Sequence, residues 1–417
     1  MQKPERAEAP RPARRAAGTL PAALLLAGLL AGPPALAQEP AEPEVDTTAS
    51  RTLALQLYED HHYLDALPLL EQLAADDSDD PEVQEALGFC LLATAATLDD
   101  AEERRQMRLR ARQALLRSQE LGNNTSFVRT LLEQLPPDGS ETPFSANPAV
   151  DAAMREGEAA FVAGDWEAAL TAYHRALALD PTHYEAALFI GDVYFAQRQL
   201  EEAVRWFAVA VRNDPNGETA YRYWGDALML QDRQTEAREK FIEAVVAEPY
   251  RESSWHGLGQ WARHNRVQVG HPRIESPNQR RFEDDSIEII IDPESLMSTD
   301  GTANWMFYEL TRNLWQIEKF AELYPNEPEY RHSLQEEAEA LRAVIRGVGQ
   351  DQEGGQIDSL HPALETLLAL ERQGLLEAYI LLARADEGIV QDYVSYRAEH
   401  RDNIRQYLDD YVVPRLE

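Results

Sequence analysis

Along most of the chain apolar residues recur at three- and four-residue steps, the spacing that builds one helix face. From Arg51 to Leu73 the series is Leu53, Leu57, Leu64, Leu67, Leu70 and Leu73, and the run Asp76-Asp-Ser-Asp-Asp-Pro81 breaks it. A second helix carrying Gly88 follows, then a long polar one between Leu98 and Ser118, a stop at Leu121-Gly-Asn-Asn124, and a short helix from Phe127 to Leu135. Residues 136–148, with four prolines, read as a linker. After Arg266 the pattern changes. Residues 267–269 and 286–291 are short and β-branched, and predict two strands around a polar loop from Pro277 to Asp285. Four helices are then expected over 304–323, 330–345, 362–384 (breaking at Gly374) and 389–413, with 350–355 as a flexible loop.

Between these sections one pattern repeats at a step of 34 residues. Gly157, Gly191 and Gly225 keep that register, as do Ala169, Ala203 and Ala237, then Tyr173, Phe207 and Phe241, then Ala176, Ala210 and Ala244, then Pro181, Pro215 and Pro249. Small residues let paired helices approach, the aromatic fills the gap between them, and proline stops the second helix. Such units bury their apolar faces only against neighbours. The register resembles the tetratricopeptide repeat, a 34-residue helix–turn–helix. Counted from repeat starts at Val150, Tyr184 and Glu218, Gly is position 8, Ala 20, the aromatic 24, Ala 27 and Pro 32. Trp255-His-Gly-Leu-Gly259 opens a fourth first helix, and no second helix follows it. A weaker copy begins at residue 51, with Ala54 and Gly88 at position 8 and an insertion of about 11 residues in its later part. The expected fold is all-α: a tetratricopeptide α-solenoid followed by a mainly helical domain with a short β-ribbon. The expected divisions are 51–135 as a divergent helical section, 136–148 as linker, 149–265 as the regular array and 266–417 as the C-terminal domain, which would also cap the array.

Residues 1–37 change the picture of where the chain works. Five basic residues precede the apolar run from Leu20 to Leu30, and Ala35-Leu-Ala37 supplies a small-x-small site, the layout of a signal peptide. An apolar run of about 11 residues is too short for a span needing about 20. Sec-type export with cleavage after Ala37 is expected, then a disordered stretch over 38–50 poor in residues to bury. Lysine occurs only at Lys3, Lys240 and Lys319, an arginine-heavy usage that points to a GC-rich bacterial genome and so to a periplasmic or secreted protein. The net charge is −34, and −37 once residues 1–37 are set aside. That surface disfavours nucleic acid and anionic lipid as partners, and favours basic proteins or peptides. Cys90 is the single cysteine and lies in an apolar run, so no internal disulfide forms and burial is expected.

In the tetratricopeptide family the first helices line a concave groove through positions 2, 5, 9, 12 and 13. The resemblance therefore implies a peptide groove of Asp151, Met154, Glu158 and Phe161 from the first repeat, Glu185, Leu188, Asp192 and Phe195 from the second, and Arg222, Asp226 and Met229 from the third. Position 9 is acidic in all three copies, which suits a ligand alternating basic and apolar side chains. No cofactor is implied, and no glycine loop, nucleophile elbow or paired-cysteine metal site is present. The densest polar clusters are Tyr330–Glu337 and Tyr396–Asp402; His332 and Glu336, four apart, would share a helix face, with His400 and Asp392 available. Trp255, Trp261, Trp305 and Trp315 could form a sugar platform, though tryptophan at helical spacing is more often core. The reading is a non-enzymatic interaction scaffold holding a protein or peptide. Two alternatives stand beside it: an enzyme with its site in the C-terminal domain, and a structural subunit of an envelope complex.

Overall fold

The computed structural model describes residues 47–76, 79–98, 100–283, 286–327 and 329–416. The signal-peptide reading and most of the 38–50 stretch lie outside these residues. Helix α1 already begins at Thr47, so the expected disorder does not extend over 47–50. The chain divides into two compact units, one up to Pro215 and one from Asn216 onward.

The first unit is a series of helix hairpins: α1 (Thr47–Glu59) with α2 (Tyr63–Asp76), α3 (Pro81–Ala96) with α4 (Ala101–Glu120), a short α5 (Ser126–Gln134), α6 (Pro148–Val162) with α7 (Trp166–Leu179), and α8 (Tyr184–Ala196) with α9 (Leu200–Asn213). Capping fixes many of the starts. Asp80 accepts from Glu82 and Val83 amides ahead of α3, Asp100 from Glu102 and Glu103 ahead of α4, and Asn147 from Ala149 ahead of α6. Each satisfies amides that a helix N-terminus otherwise leaves bare.

The close approach inferred from position 8 is present. A Cβ built on Gly157 would sit 2.3 Å from the Tyr173 ring, and one on Gly191 2.5 Å from the Phe207 ring. The divergent copy obeys the same logic through its insertion. Gly88 faces Leu115 (2.6 Å from a Cβ) and the Ala111 carbonyl, and those residues stand 11 places beyond positions 24 and 20 of the regular register. Cys90 is fully buried here, and burial pushes its thiol up to about 12.

A second 34-residue regularity lies in the backbone. The turn after the first helix carries one left-handed residue at position 15 in five of the copies: His61 (φ 67°), Gly164 (74°), Arg198 (60°), Asp232 (61°) and Arg266 (56°); in the copy built by α3 and α4 that position is Ala95, inside α3. The following amide closes the helix end, as in Asp165 N to Ala160 O at 2.9 Å and Gln199 N to Tyr194 O at 2.8 Å. This is the usual left-handed helix stop. Glycine occupies it once, so composition alone conceals it.

The second unit starts with α10 (Glu218–Leu230) and α11 (Gln234–Ala247), the third regular repeat, then α12 (Glu252–Asn265). Phe241 lies between Gly225 and Gly257, whose Cβ atoms would meet its ring at 2.5 and 2.4 Å. The fourth copy keeps the register as far as the Arg266 turn and then leaves it. Strand β1 (Gln279–Glu283) pairs antiparallel with β2 (Ser286–Ile290), Gln279 opposite Ile290 and Glu283 opposite Ser286. This corrects the expected ribbon: residues 267–269 are not a strand, and the first strand comes from the segment read as a loop. Local pairing across two residues costs far less chain entropy than closing a longer loop, and the polar letters of Gln279, Arg280 and Arg281 hid the strand.

Four helical stretches complete the unit. After α13 (Pro293–Met297), α14 (Trp305–Leu314) runs through a π-helical turn into α15 (Phe320–Leu323). Helix α16 spans Leu334–Glu353, starting later and ending later than expected because Ser333 caps it and Gly354 stops it; the supposed loop over 350–353 is helical. Helix α17 (Pro362–Arg372) and α18 (Leu376–Tyr379) divide at Gly374 (φ 71°), as the sequence indicates, and α19 (Tyr393–Tyr407) ends in a π-helical turn over Leu408–Val412. No described helix is long and apolar enough to cross a membrane.

Candidate functional site

The first helices α6, α8 and α10 supply the eleven groove positions, and most of these side chains are less exposed than the family pattern implies. Met154 and Leu188 are core residues, at 0% and 2% exposure. Phe161 and Phe195 are also buried, Phe161 edge-on to Trp166 at 5.1 Å. Two of the three acids at position 9 are buried in the repeats. Glu158 is buried and accepts the Tyr173 hydroxyl at 2.5 Å, while Asp192 is buried as well. Burial raises Asp226 to about 7, against the opposing pull of the Arg222 charge. Arg222 itself contacts Glu218 at 3.3 Å and lies 4.6 Å over the Tyr223 ring. The partly exposed positions are Asp151, Glu185, Arg222, Asp226 and Met229. Asp151 accepts the Phe144 amide (2.7 Å) and Arg155 (2.9 Å), and Glu185 lies 3.6 Å from His183 Nδ1. A row of exposed acids at position 9 is therefore not what these residues form. An acid beside a small residue in a helix pair is as well placed to hydrogen-bond the opposite aromatic as to meet a ligand.

The C-terminal cluster also differs from its expected arrangement. Because Ser333 caps α16, His332 lies before the helix and shares no face with Glu336. Its ring instead bridges Asp386 (2.7 Å) and Glu337 (3.0 Å). Glu337, fully buried, also takes Arg384 at 2.5 Å and the Tyr308 hydroxyl at 2.8 Å. Burial pushes this carboxyl up, but the His332 hydrogen bond and the Arg384 and Arg312 charges outweigh it and hold it at about 2. Glu336 pairs with Arg312 (2.6 Å) and Tyr330 (2.9 Å), and Asp392 with Arg331 and the Leu334 amide. His400 makes none of these contacts: it sits exposed at a kink in α19, 4.6 Å from Tyr396. Glu336, Glu337 and Asp392 are each held by a guanidinium group, an arrangement that fastens elements together. Among the described residues no group of three or more His, Cys, Asp or Glu is placed to hold a metal ion. Trp261, Trp305 and Trp315 are buried, so no sugar platform forms from them.

The profile of the tetratricopeptide repeat matches residues 154–218, the stretch that folds as α6 to α9 and the start of α10. The chain carries tetratricopeptide repeats. Among solved structures, the Arabidopsis OM64 tetratricopeptide domain is 21% identical over 28% of this chain and 97% of its own, with a TM-score of 0.27. YrrB, described as a tetratricopeptide protein with an unusual peptide-binding site, is 16% identical over 51% of this chain and 92% of its own, at 0.24. MamA of Desulfovibrio magneticus RS-1 is 17% identical over 49% and 97%, also at 0.24. No curated protein matches the chain.

A C-terminal cap was expected from the sequence, but two sets of contacts were not apparent in it. In the second unit α19 closes the end of the third repeat. Tyr393 Oη donates to Val246 O (2.6 Å), Arg397 donates to Ala247 O, and Arg401 and Arg405 both reach Glu243. Tyr393 and Arg397 satisfy carbonyls in the last turn of α11, which a further repeat would otherwise have to cover. The spacing of Arg397, Arg401 and Arg405, four apart, was the available signal. The other feature is a parallel set on α4, where Arg104, Arg108 and Arg112 hold the segment after α5: Arg112 donates to Leu132 O and Leu135 O, Arg108 to Gly139 O and Ser140 O, and Arg104 to Glu141. The linker is thus pinned along its length, and Phe144 packs edge-on to Phe189 at 6.0 Å.

Proposed function

We propose that this is a non-enzymatic interaction scaffold of the bacterial cell envelope, holding a protein or peptide partner against the first-helix faces of its repeats. The observation that carries the reading is the tetratricopeptide segment 154–218, built as helix pairs whose registered residues are spent on packing. Such a surface is rigid before the partner arrives, so little ordering cost falls on binding. Partner choice then rests on the partly exposed positions Asp151, Glu185, Arg222, Asp226 and Met229, and the net charge of −34 favours a basic partner. Export rests on the layout of residues 1–37 and predicts a mature chain beginning at Gln38; N-terminal sequencing of the protein from its native host checks this. The binding role is tested by capture of partners from the envelope fraction with the native chain and with Glu185→Arg. Loss of the same partner from the variant, at unchanged thermal stability, supports the groove. Equal recovery overturns it.

One observation favours the structural-subunit reading as a second possibility. Phe307, Leu310, Leu314 and Ile317 form a stripe along α14 and its π-helical turn, exposed by 39%, 52%, 49% and 73%. Apolar rows of that kind commonly mark protein contacts. If they bind a neighbouring subunit, Ile317→Glu releases the protein from a native envelope assembly that Glu185→Arg leaves intact.

A further inference from the structure

The first unit contains a half-open cavity of about 490 Å³ where α3, α4, the end of α5, the 141–144 segment and α6 meet. That size falls within the range of small-ligand sites. One wall is apolar, formed by Phe89, Leu92, Ala96, Ala159 and Val162. The other wall is polar, and two of its groups lack the partner their chemistry calls for.

Arg108 is the first. Arg104 and Arg155 meet the Glu141 carboxylate, at 3.1 and 2.6 Å. Arg108 bonds only the Gly139 and Ser140 carbonyls, at 3.2 and 3.0 Å, and has no carboxylate partner among the described residues. A guanidinium carries five N–H donors, so several remain. The carboxylates on the wall are already engaged: Glu141 by those two arginines, Glu156 by Arg175, and Glu158 by the Tyr173 hydroxyl. Gln134 is the second. It lines the same cavity, and its Oε1 is buried with no hydrogen-bond donor among the described residues. A buried acceptor left unpaired costs about 1–3 kcal/mol, so a donor brought by a ligand is favoured there.

We propose that this cavity binds a small amphipathic carboxylate that also carries a hydrogen-bond donor. The carboxylate meets Arg108, the donor meets Gln134 Oε1, and the apolar body lies on the Phe89–Leu92–Val162 wall. Each part follows from one observation: an arginine without an anion, an acceptor without a donor, and an apolar surface bordering more space than a few waters fill. Of the groove positions the site shares only Glu158, which is buried on Tyr173, and Glu185 lies outside its lining, so Glu185→Arg leaves it intact and either reading can fail alone.

Titration calorimetry with 3-hydroxydecanoate as the probe tests it, with decanoate (no donor) and 1,3-decanediol (no carboxylate) as comparisons. The expected order is 3-hydroxydecanoate tightest, decanoate about tenfold weaker, and the diol weaker again. Arg108→Gln should weaken the probe at least about tenfold. Because Arg108 also steadies the linker, a second variant, Ala159→Leu, fills the cavity from the opposite wall and should abolish binding while the melting temperature is kept. The proposal is overturned if 3-hydroxydecanoate shows no binding up to about 1 mM, if the diol binds as well as the acid, or if Ala159→Leu binds like the native chain.

Discussion

Position 8 of the repeat shows how one residue type can do opposite things at equivalent places. Gly191 faces the Phe207 ring so closely that a methyl group would overlap it, whereas a Cβ on Gly259, in the same register, would meet only Arg263 Nη1 at 3.7 Å. Alanine is favoured over glycine in a helix by about 1 kcal/mol, but overpacking costs about 1–3 kcal/mol. Gly191→Ala is therefore expected to lower stability by about 1–2 kcal/mol, and Gly259→Ala to raise it by about 0.5–1 kcal/mol. Urea unfolding of the two variants reads the difference in sign. Asp226 gives a second expectation at this scale. Its folded carboxyl titrates near 7 because burial disfavours the charge, against about 3.8 when unfolded. A raised carboxyl contributes stability that is full below about 3.8 and lost as the pH rises through about 7. Asp226→Asn should thus stabilise the protein at pH 8, by about 1 kcal/mol or more, with the gain vanishing near pH 4. A gain that does not change with pH would show that the carboxyl is not perturbed.

At the scale of elements, packing was legible and fastening was not. Gly, Ala, aromatic and Pro at fixed spacing marked the helix pairs, and an insertion of about 11 residues was visible in the divergent copy because its second helix, between Leu98 and Ser118, is displaced from the register. The left-handed turn at position 15 was hidden because Arg, Asp and His occupy it as well as Gly. The β-ribbon was misplaced because a hairpin of polar residues has no apolar alternation to reveal it. Ion pairs were unreadable for a different reason: a helix-face rule offers His332 a partner at Glu336, but where the helix begins decides who the partner is. The same blindness concealed Arg238 on α11, which donates to Asp409 and to the Val413 and Pro414 carbonyls and so ties the C-terminal segment to the third repeat. Lysine cannot reproduce that fan of donors. Arg238→Lys should cost about 1–3 kcal/mol and speed hydrogen exchange in 408–414 more than in α16. Equal protection in both variants would mean that the segment is held by its apolar contacts alone.

For the whole molecule, the account assigns the regular positions to construction and the partly exposed ones to recognition. The first helices spend Met154, Glu158, Leu188 and Asp192 on their own interior, which leaves few side chains to choose a partner. The central claim is that a partner lies along those helices. Photo-crosslinking in the native host tests it most directly, with a benzoylphenylalanine placed at Glu185 on α8 and, separately, at the well-exposed Arg205 on α9. The account predicts a discrete crosslinked species from Glu185 and none from Arg205; crosslinks of equal yield from both sites, or from neither, would contradict it.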